Sequence, residues 1–188
     1  MRNAAYLCFG FLLILVQGNL YRMFGPLAAP VGAEGFRRFL GVLSATPNLV
    51  LPMIIFLGVQ ESSVARGVVL SFALGHLTDL MAASPMYLFT FVSVAMWGLA
   101  KIAGVRFSAQ TPLTRIPLVF GFSLVESAIV LTLLAIFGTD NRRPIELLPM
   151  VLPRAMMTAL FASLVFHLVQ RIAASTAVVR SAETGSNA

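Results

Sequence analysis

Ile116 to Phe137 reads IPLVFGFSLVESAIVLTLLAIF, a run whose only ionisable side chain is Glu126. About 20 mostly apolar residues, at ~1.5 Å of rise each, cross the hydrocarbon core of a bilayer, so the run predicts a transmembrane helix. The rest of the chain follows suit. Hydrophobic residues make up 59% of the 188 positions and charged residues 11%, where a soluble domain carries roughly a quarter charged. A water-soluble fold of this length could not bury so much apolar surface, and lipid must cover the excess. The expected fold is an all-α integral membrane protein, a compact bundle of about six transmembrane helices.

Working outward, the sixth span lies at Leu147 to Val169 and holds Pro149, Pro153, Arg154 and His167. Gly138 to Glu146 before it is the most polar loop. Upstream, Lys101 to Arg115 is a basic connection, preceded by a fourth span from Met86 to Ala103. The tight reversal Ser84-Pro85 joins that span to a third, Gly67 to Ala83, which carries His76 and Asp79. The second span, Phe39 to Val59, has no charge but is broken by Thr46-Pro47 and Pro52. Its regular part begins at Pro47, a favoured first helical position. The first span is Ala4 to Phe24, interrupted by Gln17, Gly18 and Asn19. Between the first two spans, Phe36, Phe39, Leu40 and Leu43 fall at helical spacing beside Arg37 and Arg38, as in an interfacial amphipathic stretch. Residues 1–170 thus form one transmembrane domain, and 171–188 read as a disordered polar tail.

The net charge of +6 does not imply nucleic acid. The basic residues, all arginine except Lys101, are scattered singly or in pairs between apolar runs and suit anionic headgroups. With the N-terminus inside, Arg2, Arg66, Lys101, Arg106, Arg115, Arg171 and Arg180 lie on the cytoplasmic side. Arg22, Arg37, Arg38, Arg142 and Arg143 lie opposite. The excess favours an N-in, C-in topology. Arg2 and the run Tyr6 to Val16 resemble the start of a signal peptide, but the run continues and further spans follow, so an uncleaved first helix is expected. Cys8, the single cysteine, is read as an apolar packing residue. No metal-ligand cluster, P-loop, HExxH or GxSxG is present, so neither cofactor nor catalysis is expected.

Ionisable groups at membrane depth are costly and mark function or partnership. Here they are His76, Asp79, Glu126, Arg154 and His167. In the N-in arrangement Asp79 lies about one helical turn from the outer surface, Arg154 about two and Glu126 about three. Arg154 is expected to neutralise one of the two acids, forming an intramembrane charge pair with Asp79 or Glu126. Gly67, Ser71, Gly75 and Asp79 recur every fourth residue and so share one helical face. Small residues allow close helix approach. The face is read either as a docking seam for a partner helix, anchored by Asp79, or as a packing seam within the protein. A His76/Asp79 proton relay would need further partners that this helix does not supply.

The stretch Pro47 to Arg106 resembles the bacterial rod-shape-determining membrane protein family MreD. The resemblance rests on the proline-led helix Pro47-Asn48-Leu49-Val50-Leu51, a polar turn ending in Arg66-Gly67, and a Gly-rich helix through Gly75 to Asp79-Leu80. A small-residue turn with Pro85 and a basic exit at Lys101 and Arg106 complete it. The resemblance implies a fold similar to the substrate-binding subunits of vitamin transporters. It also implies a non-catalytic subunit of the cell-elongation complex in the bacterial inner membrane. Such a subunit works beside MreC and other elongation-complex membrane proteins, linking MreB filaments to peptidoglycan synthesis. The Gly67, Ser71, Gly75 and Asp79 face would then receive the MreC transmembrane helix. The fold likeness leaves an alternative, a small-molecule-binding membrane subunit of a vitamin-type transporter.

Overall fold

The computed structural model describes residues 2–24, 47–60, 63–82, 87–106, 112–137 and 148–185. They form six α-helices: α1 (Arg2–Phe24), α2 (Val50–Gln60), α3 (Val64–Ala82), α4 (Leu88–Arg106), α5 (Pro112–Phe137) and α6 (Leu148–Gly185). No strand occurs among the described residues. The amphipathic stretch expected around Phe36 to Leu43 and the polar loop 138–146 lie outside them.

Three of the helices contain segments long and apolar enough to cross a membrane: Val64–Ala82, Ile116–Phe137 and Val151–Ser175. In their apolar windows only 28% to 33% is buried within the protein. Large hydrophobic side chains instead point outward on every one of them, among them Val69, Phe72, Ile136, Leu160 and Leu164. A monomer in water rarely exposes so continuous an apolar surface, so lipid is the solvent this surface fits.

Two elements depart from their expected extent. Among its described residues the second is helical only from Val50 on, and 39–46 lie outside them. Its helix covers Val50–Gln60, which at ~1.5 Å per residue is roughly 16 Å, about half a bilayer core. Pro47 stands before the helix rather than at its first turn, because Asn48 caps it. The last helix, by contrast, does not end at Val169 but continues to Gly185. Where a disordered tail was expected, Gln170 to Thr184 contain no glycine or proline, and Gly185 is the first residue there suited to stop a helix.

The short α2 is the centre of the molecule. Every residue from Val50 to Gly58 is buried, and all five other helices touch it. Such a helix has no polar face, which explains why it can exist only inside other helices. Its core side chains Leu51, Met53, Ile55 and Leu57 are essentially inaccessible, as are Leu74 of α3, Met96 of α4, Val119 of α5 and Val165 of α6. Around it, α3 lies closely along α4, α5 along α6, and α1 against α3.

Candidate functional site

Asn48 begins the polar centre of the bundle. Its Oδ1 accepts hydrogen bonds from the backbone N–H of Val50 (3.1 Å) and Leu51 (3.2 Å), the geometry of an N-cap. The intervening N–H of Leu49 donates to Gln17 Oε1 on α1 at 3.1 Å. The next residue, Pro52, has no N–H to satisfy. The first turn of α2 therefore leaves no donor unpaired, which a helix end inside a bundle requires. The backbone N–H of Asn48 itself donates to Thr158 Oγ1 on α6 at 3.0 Å. That hydroxyl in turn donates to the carbonyl of Arg154 at 2.8 Å.

Asn48 Nδ2 donates to Glu126 Oε1 on α5. Glu126 is 3% exposed. It thus lies at the N-terminal end of α2, where the helix dipole and the amide donor both favour negative charge. Arg154 on α6 is the cation whose field reaches it. The two do not meet through Glu126 Oε2 or Arg154 Nε, since both atoms are buried without a hydrogen-bond partner among the described residues. Three helices other than α2, through Gln17, Glu126 and Thr158, converge on this one helix start.

Asp79 has a different task. Its Oδ1 accepts the N–H of Phe89 at 2.8 Å, and its Oδ2 accepts the N–H of Thr90 at 2.9 Å and the Thr90 hydroxyl at 2.6 Å. The residue in the N-cap position of α4 is Tyr87, whose carbonyl accepts the first helical bond from Phe91 at 3.0 Å. Tyrosine cannot cap with its side chain in that position, so α3 supplies the capping oxygens from outside. Tyr87 itself has φ 66, a left-handed conformation rare outside glycine. Its ring stacks on His76 at 6.0 Å, and His76 stacks on Phe72 at 6.3 Å.

The small-residue face of α3 is occupied. Ser71 is fully buried. A Cβ on Gly75 would come within 2.7 Å of Phe89 O and Thr90 Cα, and one on Gly67 within 2.4 Å of Trp97 Nε1. Gly67, Ser71, Gly75 and Asp79 therefore form a seam filled by α4 of the same chain. The reading of this face as a docking groove for a partner helix is corrected accordingly, because no second helix can occupy the same contact. Of the acids considered as partners of Arg154, Glu126 lies within its electrostatic reach, and both oxygens of Asp79 accept from the start of α4.

The sequence marked Glu126, Arg154 and Asp79 as charges at membrane depth, but not Asn48, Gln17 or Thr158 as their neighbours. A signal for Asn48 existed. An asparagine directly before an uncharged apolar helix is an N-cap pattern, and a buried cap needs further polar groups nearby. Which groups these are depends on the packing of α1, α5 and α6. Comparison of the chain with protein-family models, curated proteins and solved structures gave no match.

Proposed function

We propose that this chain is a non-catalytic, multi-pass subunit of the bacterial inner membrane, acting in the cell-elongation complex as MreD-like proteins do. In this reading it lies N-in and C-in and holds the transmembrane helix of an MreC-like partner. Together they help couple MreB filaments to peptidoglycan synthesis. The observation that supports a scaffold best is the solid interior built around α2. Its nine residues Val50 to Gly58 are all buried, and the buried polar side chains at its start are largely spent on capping it. Cavities beside it are small, about 20 Å³ between α2, α5 and α6 and about 10 Å³ at Glu126. A pocket for a vitamin-sized ligand is roughly 300 Å³ or more.

With the α3 seam filled by α4, the partner helix in this proposal must dock on a lipid-facing surface. Gentle detergent extraction of the tagged protein from native membranes, followed by mass spectrometry of what comes with it, tests the proposal. Recovery of MreC and wall-synthesis proteins is the expected result. Recovery of ATPases and a coupling subunit in their place would overturn it in favour of a transporter.

A further inference from the structure

Glu126 has two carboxylate oxygens and only one of them is used by the cap of α2. Oε1 receives the amide of Asn48, whereas Oε2 is buried and takes no hydrogen bond from the protein among the described residues. A buried acceptor left without a donor costs roughly as much as a lost hydrogen bond, and more when charged. The same residue lines a cavity between α2, α3, α4 and α5. Thr78 and Ser93 bring hydroxyl groups to its wall, Asn48 an amide, and Phe89 and Met96 apolar cover. The Thr78 hydroxyl gives its proton to Leu74 O at 2.9 Å, which leaves its oxygen free to accept. The free volume is about 10 Å³, close to the ~10–15 Å³ that a single water needs.

The position of the cavity adds direction. Thr78 is the neighbour of Asp79 on α3, and Phe89 precedes Thr90 on α4, so the wall runs on to the end of the bundle where Asp79 caps α4. Polar groups thus run from Asp79 at the start of α4, through Thr78 and Ser93, to Glu126. On the other side of Glu126 lie Asn48 and the first turn of α2, whose donors are already taken.

We propose that this cavity is a binding site for one water molecule that donates to Glu126 Oε2 and to a wall hydroxyl. A water suits the chemistry better than a cation would. Asn48 Nδ2, the N-terminal end of α2 and Arg154 already surround the carboxylate with positive charge, so the remaining need is for a neutral donor. The consequence is an acid deep among apolar helices whose second oxygen is satisfied by water and not by the protein.

The test uses the full chain in lipid bilayers with Glu34, Glu61, Glu146 and Glu183 each changed to Gln, which leaves Glu126 as the only glutamate. With 13C-labelled glutamate, solid-state NMR then measures magnetisation transfer from water to the Glu126 carboxylate carbon. Transfer is expected, and it should be lost in Thr78→Val combined with Ser93→Ala, which removes the wall hydroxyls at nearly constant volume. Absence of transfer in the parent chain would overturn the site. Transfer unaffected by the two wall substitutions would overturn the wall hydroxyls as the water's second partner. A carboxylate signal that moves when sodium replaces potassium would show that a cation, not water, is the occupant. Thermal unfolding of the wall variant, unchanged within a few degrees, ensures that the loss is read from a folded protein.

Discussion

At the scale of single residues, side chains in this bundle serve mainly to finish helix ends that lie away from water. Asn48 is the clearest case, since one amide caps α2 with its oxygen and holds Glu126 with its nitrogen. Replacing it by Asp keeps the cap oxygen but sets one carboxylate against another. We expect Asn48→Asp to lower stability by about 1–3 kcal/mol, the cost of a buried polar group without its partner. Adding Glu126→Gln restores a donor facing that oxygen, so the double variant should recover most of the loss in a thermal unfolding cycle in detergent. Recovery no better than the sum of the single variants would show that the two side chains act independently. Asp79 should behave as a cap as well. Asp79→Ala is expected to cost about 1–2 kcal/mol, with Asp79→Asn costing less because one acceptor oxygen remains for Phe89 or Thr90.

At the scale of elements, close approach of α3 and α4 depends on glycine at one contact more than on composition. A methyl group at position 75 would press on the backbone of α4, not on a movable side chain. Gly75→Ala should therefore destabilise by about 1–3 kcal/mol, as overpacking does. Gly98, which lies within α4, has nothing within 4 Å of the position a Cβ would take. Gly98→Ala should be neutral or stabilising by up to about 1 kcal/mol, from helix propensity alone. The pair can be compared by unfolding in one detergent, and equal effects would argue against the seam. Element boundaries follow the same logic of local against tertiary cause. The limits of α3 and α4 were legible to within a few residues, because the polar turn ending in Arg66-Gly67 and the pair Ser84-Pro85 punctuate the chain. The start of α2 was legible near Pro47, but its place at the centre of the bundle was not, since that depends on packing by five other helices.

For the whole molecule the arrangement is a buried half-length helix inside a ring of longer ones with apolar outer faces. Stability should accordingly be graded from inside to outside. Ile55, fully buried on α2, should lose about 2–5 kcal/mol on change to Ala. Leu160, 66% exposed on α6, should lose far less in bilayers or detergent, where the solvent for its side chain is itself apolar. Chemical unfolding of the two variants in matched micelles measures the difference. A similar loss at both sites would mean that the outer face of α6 is covered by protein in the assembled state.

Composition and run length alone determined that this chain is helical and built for an apolar solvent, because a continuous apolar run of about 20 residues can satisfy its backbone in lipid within its own helix, whereas barrel strands alternate apolar and polar residues. They also singled out Glu126, Arg154 and Asp79, since a charge in such a run is conspicuous. Only the tertiary structure decided what those charges do. Asp79 meets the start of α4 because that helix lies back along α3. Glu126 meets Asn48 because α2 begins partway along α5 and not at its end. Spacing on one helix fixes which residues share a face, but the identity of the opposite face is set by packing between segments distant in sequence, and for the α3 seam that packing chose α4 of the same chain.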